Sequence, residues 1–311
     1  MTEEPPPPAY GGQAVLEGVM MRGPEFWAVA VRRPDGGIWV EKHPVRSLAD
    51  RRPIFRRPFL RGISVMADAL NIGMRAMSIA ASQSMEEEQR LNRKQMGGTI
   101  ALSVTMFIGI FIVLPNVLSN ILKQGPSQSS SGAAIKEAII RLLIFVGYLL
   151  AISLFGEIRR VFQYHAAEHQ TIHAYENREP RLTPDAVMKY PTEHVRCGTN
   201  FLIITMLLTI VFYSLLGRPA VWLQITERVV GIFIIAGISY EFLRLGASKG
   251  DRWWVSALMK PGIWLQKITT RTPRAEMVEV AVRSFEQLLP MEERSMVPNY
   301  GSPVIEGEQA G

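Results

Sequence analysis

Cys197-Gly-Thr-Asn-Phe-Leu-Ile-Ile-Thr-Met-Leu-Leu-Thr-Ile-Val-Phe-Tyr-Ser-Leu-Leu-Gly217 carries no charged side chain. As a helix rising about 1.5 Å per residue, such a run reaches across the ~30 Å hydrocarbon core of a bilayer. Three further stretches share the pattern. Gly97–Leu122 is free of charge, and Ala138–Gly156 contains only Arg141, near its start, where it can snorkel. Val229–Leu245 is interrupted by Glu241 and Arg244 at its end. Together they predict a mainly α protein, a polytopic membrane helix bundle of about four spans over residues 97–248.

Composition agrees. The 311 residues are 48% hydrophobic with a mean hydropathy of +0.11, although 20% are charged. Such values arise when charge is kept out of particular segments. Arg90, Arg93 and Lys94 precede the first run. Arg159, Arg160, Arg178, Arg181, Lys189 and Arg196 fill the loop before the third, and Arg244, Lys249, Arg252, Lys260 and Lys267 follow the fourth. The positive-inside rule then gives a multi-pass protein of the cytoplasmic (inner) membrane with both termini inside. The acidic, proline-rich start Met1-Thr-Glu-Glu-Pro-Pro-Pro-Pro8 does not read as a cleavable signal peptide. A single cysteine excludes an internal disulfide. The net charge of +6 is dispersed around apolar segments without a nucleic-acid motif, so membrane lipid is the expected partner and nucleic acid is not.

Outside the bundle, residues 11–96 read as a cytoplasmic or interfacial module. Trp27–Val31 and Ile38–Glu41 are β-prone runs joined by a turn sequence, which predicts a β-hairpin. The preceding Gly11–Pro24 segment has glycines at 11, 12, 18 and 23. It reads as turns needing positive φ, or as backbone approaching a ligand with Gln13, Glu17 and Arg22 as polar contacts. Phe59–Ser84 predicts an amphipathic helix at the interface or packed on the bundle. Residues 249–289 predict cytoplasmic amphipathic helices, with Trp253, Trp254 and Trp264 at the membrane surface. The ends, 1–10 and 290–311, are expected to be disordered.

The chemistry concentrates in Tyr164-His-Ala-Ala-Glu-His-Gln-Thr-Ile-His-Ala-Tyr-Glu176, expected within a cytoplasmic helix at 157–177. On a helix His165, Glu168, His169, His173 and Glu176 share one arc of roughly 140°. Imidazoles one turn apart with a carboxylate beside them suit a divalent metal, and His165-Ala-Ala-Glu168-His169 matches the H-x-x-E-H pattern of zinc peptidases. The plainer reading is a polar helix face with satisfied histidines. His194 and Cys197, three residues apart at the start of the third run, and the intramembrane Glu241 are further candidate ligands; Glu241 reads equally as an ion pair with Arg244, Arg196 or another basic partner.

Four ordered motifs carry a resemblance: Gly11–Pro24, Tyr164–Glu176, Arg196-Cys-Gly-Thr-Asn-Phe201 and Pro261-Gly-Ile-Trp-Leu-Gln266. From about Gly11 to about Glu286 the chain resembles the YqhQ-like family of bacterial membrane proteins. That resemblance implies a multi-spanning membrane protein and lends support to a metal, and it supplies no substrate. Two functions are expected. One is a metal-dependent hydrolase at the cytoplasmic membrane face, with His165, His169, His173, His194, Cys197 and Glu241 as candidate ligands of a divalent metal, zinc by preference, and Glu168 as general base. The other is a non-catalytic scaffold or regulator binding lipid or a protein partner, a second copy of the chain included, with the histidines as a structural or pH-sensitive cluster.

Overall fold

The computed structural model describes residues 10–85, 93–121, 130–216, 221–249 and 252–307. Of the expected disorder at 1–10, residues 1–9 lie outside these residues, whereas Tyr10 is buried.

The chain opens with four consecutive strands, β1 Gly11–Val15, β2 Gly18–Arg22, β3 Phe26–Arg32 and β4 Ile38–Pro44. They form an antiparallel meander, and β3–β4 is the predicted hairpin. The glycine-rich segment is itself a hairpin, with Gly12 opposite Met21 and Val15 opposite Gly18. The expected use of its glycines as positive-φ turns is not met: Gly11, Gly12, Gly18 and Gly23 have no positive φ, while Glu17 has φ 50°. Strands fit here because β2 and β3 read as Val-Met-Met and Trp-Ala-Val-Ala-Val, residues suited to a sheet covered on both faces.

After α1 (Leu48–Arg51) and a 3₁₀ turn at Pro53–Arg56 comes the long helix α2 (Leu60–Ser84). Next are α3 (Arg93–Ile108), a π turn at Gly109–Val113, α4 (Leu114–Ile121), α5 (Ser130–Ile152), α6 (Gly156–Glu176) and α7 (Pro184–Val187). The remaining helices are α8 (Gly198–Leu216), α9 (Val221–Lys249), α10 (Trp253–Thr269) and α11 (Ala275–Glu286). The protein is therefore mainly helical with an N-terminal sheet.

Among the described residues one helix, Val230–Lys249, is long and apolar enough to cross a membrane; α5 and α6 qualify only as a pair bent by 101°. Gly97–Val113 and Gly198–Phe212 are apolar but shorter. The bend separates two environments. α5 exposes Ile139, Leu143 and Leu150, whereas α6 buries Tyr164, Ile172 and Tyr175 against the sheet and α11. α6 thus packs with the sheet.

Strand period decides which helix covers which face. Val15, Met20, Trp27, Val29 and Val31 pack against Ile72, Ala76 and Ala80 of α2. Val19, Met21, Ala30, Ile38 and Val40 pack against α6 and the Met277, Val280, Ala281 and Phe285 face of α11. Burial of one such large side chain is worth about 1.5–3 kcal/mol. α11 is amphipathic as predicted, but its apolar side closes the protein core. α2 continues from the sheet to α9, where Gly62 lies so close to Gly237 and Tyr240 that a Cβ on Gly62 would meet the Tyr240 Cβ at 2.8 Å.

The described part of the C-terminal tail is ordered, contrary to expectation. Met291–Met296 forms a 3₁₀ helix, and β5 (Val304–Glu306) adds to the edge of β4 in parallel. The Tyr300 hydroxyl donates to the Leu182 carbonyl, and Gly307 N–H donates to Val40 O at 2.8 Å. Main-chain bonds of this kind leave no hydrophobic pattern to read.

Candidate metal centre

α6 is held in place at both ends of its buried face. Near its start Arg160 Nε donates to Glu17 Oε1 at 2.7 Å, clamping the helix to the β1–β2 turn. Near its end Tyr175 packs edge-on against Tyr10 and Phe285. The histidine stripe therefore faces a fixed wall: the segment Thr192–Asn200, the end of α10, and β1.

Two carbonyls on that wall orient the first two imidazoles. His165 Nδ1 lies 2.8 Å from Thr269 O, and His169 Nδ1 lies 2.6 Å from Thr192 O. A carbonyl oxygen only accepts, so both Nδ1 atoms carry a proton, and in the neutral ring Nε2 is then the atom with the lone pair. His165 Nε2 sits 3.2 Å from Cys197 Sγ. His165, His169 and Cys197 each offer a ligand atom within 4.8 Å of the others. Backbone-oriented imidazoles with bare Nε2 atoms are the arrangement that metal-binding histidines show.

Cys197 immediately precedes α8, and its sulfur accepts the Thr199 N–H at 3.4 Å. Burial pushes the thiol up from its usual range, while bonds from Thr199 and Asn200 pull it down. Burial also holds His169 well below the ordinary histidine range, and the neighbouring His165 adds to the effect. His169 is thus neutral, the form that ligates.

Glu168 is 4% exposed and abuts β1. A Cβ on Gly12 would lie 2.8 Å from Glu168 Cγ, so glycine is what lets the strand pass the carboxylate. Burial raises the Glu168 carboxyl to about 8, opposed by His165 and the Gly12 N–H and reinforced by Cys197. The glycine-rich segment thus brings its backbone against a buried carboxyl side chain of α6.

The remaining candidates separate. His173, Glu176 and His194 form a second set within 4.8 Å of one another. Its hydrogen bonding differs from the first. Arg196 N–H donates to His194 Nδ1 at 3.2 Å, which leaves the proton on Nε2, directed at Glu176 Oε2 3.5 Å away. Arg196 also pairs with Glu176 through its guanidinium. His173 Nε2 donates to Glu193 O at 2.8 Å. Burial lowers the His194 imidazole to about 4 and lowers that of His173 as well. With Glu176 neutralised and His194 Nε2 protonated, this set braces the loop beside the first.

Glu241 is in neither set. Arg61 on α2 grips it through Nε at 2.7 Å, and the Phe59 N–H donates to Glu241 Oε1 at 3.3 Å. Its partner is a basic residue on an adjacent helix, as one reading expected, but neither Arg244 nor Arg196. Spacing alone gave no sign of Gln266, whose side chain bonds the His194 backbone twice. The Pro261–Gln266 motif had flagged the segment without a role for it.

A family model described as protein of unknown function (DUF1385) matches residues 57–291. The chain belongs to the DUF1385 family. It is also 34% identical over 310 residues to the uncharacterized protein YqhQ of Bacillus subtilis (strain 168), across 94% of this chain and 96% of the relative. No solved structure matches. The DUF1385 region contains Glu168 and every candidate ligand, whereas Gly12 lies before it. The expected YqhQ-like kinship is thus established.

Proposed function

We propose that the protein is a metal-dependent hydrolase of the cytoplasmic membrane, with about four spans, both termini inside, and the centre at the cytoplasmic face. The observation that carries this reading is the pair of Nδ1–H bonds from His165 and His169 to main-chain carbonyls, which leaves each Nε2 available to a metal beside Cys197, with His165 Nε2 3.2 Å from the sulfur. Two imidazoles and one thiolate form a donor set suited to zinc, and three protein ligands leave a position for water or substrate. His165, His169 and Cys197 would hold the zinc, which would supply Lewis acidity toward water and substrate. The protein's own part is proton handling and orientation. Glu168, the buried carboxyl beside His165, would take up and return the proton as general acid–base. Gly12 N–H fixes its direction, and Thr192 and Thr269 fix the two imidazoles.

The membrane reading draws on the apolar α9 segment, the exposed apolar faces of α3–α5, and positive charge gathered on the side of the centre.

Cobalt reconstitution tests the ligand set. The purified full chain loaded with cobalt(II) is expected to show a sulfur-to-cobalt charge-transfer band that Cys197→Ser removes. Absence of that band in the wild type contradicts thiolate ligation.

A further inference from the structure

The sequence Arg51-Arg-Pro-Ile-Phe-Arg-Arg-Pro-Phe-Leu-Arg61 interleaves arginine with apolar and aromatic residues, and the candidate metal centre makes no use of it. Its residues from Arg51 to Phe59 are exposed except the half-exposed Phe55. Arg56 bonds Ala49 O and pairs with Asp50, and Arg61 holds Glu241. Among the described residues Arg51, Arg52 and Arg57 form no ion pair.

Apolar groups stand in the open beside these free charges. Ile54 is 53% exposed and Phe59 is 55% exposed. Phe59 adopts φ 67° with ψ −51°, a backbone conformation that a phenylalanine rarely takes. Its N–H bond to Glu241 and the fit of its backbone against Gly237 hold it there, leaving the ring outside. Strain that keeps an apolar ring in solvent points to a surface the ring enters. The anchor is α9, the helix apolar enough to cross a membrane. Further along α2, Leu70 is 62% and Met74 is 72% exposed.

We infer that Arg51, Arg52 and Arg57, with Ile54 and Phe59, form an interfacial anchor for anionic phospholipid: the guanidinium groups take headgroup phosphates while the two apolar side chains enter the acyl region. Charge selects the occupant, because three unpaired cations favour an anionic lipid over a zwitterionic one. Apolar side chains among them favour a bilayer boundary over a purely acidic partner. This inference rests on the membrane reading above and is independent of the metal.

Native mass spectrometry of the full chain, released from mild detergent with added phosphatidylglycerol or phosphatidylcholine, tests it. The wild type is expected to retain phosphatidylglycerol preferentially. Arg51→Gln/Arg52→Gln/Arg57→Gln is expected to lose at least about tenfold of that retention, since each surface arginine contributes roughly a factor of five toward an anionic lipid, with phosphatidylcholine retention unchanged. Equal retention of the two lipids by the wild type, or an unchanged preference in the variant, overturns the inference. Should the variant misfold, the wild type in rising salt decides: retention of phosphatidylglycerol must fall and that of phosphatidylcholine must not. Retention of the protein in alkali-washed membranes is measured in parallel. Release by alkali defeats the membrane reading itself, whereas retention without lipid preference defeats only the anchor.

Discussion

The side-chain amide of Gln266 closes a two-bond ring on the backbone of His194: His194 N–H donates to Gln266 Oε1 at 2.7 Å, and Gln266 Nε2 donates to His194 O at 2.9 Å. Both groups are buried, and Gln266 is fully so. One side chain of α10 thus sets the height of the loop that delivers Thr192 O to His169 and Cys197 to His165. Gln266→Leu strands both backbone groups in the interior, at about 1–3 kcal/mol each. The variant is expected to unfold at lower denaturant and to bind metal more weakly than the wild type. Unchanged stability in a denaturant titration contradicts the role given to Gln266.

Gly12 offers a sharper steric test. Alanine there would place its Cβ 2.6 Å from Met20 O and against Glu168, whereas a Cβ on the adjacent Gly11 meets nothing within 4 Å. Gly12→Ala is expected to cost about 1–3 kcal/mol through overpacking, and Gly11→Ala to stay within about 0.5 kcal/mol of the wild type. Thermal unfolding of the two side by side checks this, with equal midpoints as the contrary result.

Glu241 should matter for packing and not for metal. A double-mutant cycle with Arg61→Gln and Glu241→Gln is expected to give a coupling of about 0.5–3 kcal/mol, as for contacting charged partners. Metal content in Glu241→Gln should equal that of the wild type. Metal lost with Glu241 alone would return it to the ligand set.

The tail is a fourth case. Removing residues 299–311 deletes the Tyr300 hydroxyl bond to Leu182 and uncovers the β4 edge. Stability should fall by roughly 1–2 kcal/mol with metal content intact. Limited proteolysis of the intact chain should accordingly spare the described part of the tail.

How much of this was legible in the sequence depends on the kind of contact. The i, i+4 spacing of His165 and His169 lies within one helix, so helix geometry placed them correctly on one face. The β3–β4 hairpin was equally readable, because turn residues and β-prone runs are local signals. The pairing of Glu241 with Arg61 joins residues 180 positions apart, which no periodicity encodes. The same holds for Gly12 against Glu168: glycines can be seen in sequence, but the side chain they make room for cannot. β5 was missed because an edge strand held by main-chain bonds needs no alternation. α11 was read as amphipathic, and only tertiary packing shows that its apolar side meets the sheet instead of lipid.

Metal content of the detergent-purified, tag-free protein tests the central claim most directly, with the wild type beside His165→Ala/His169→Ala after reconstitution with zinc. The account predicts about one ion per chain in the wild type, as its three-ligand site requires, and loss of that ion in the double variant with the fold retained. Equal, substoichiometric metal in both proteins would contradict it.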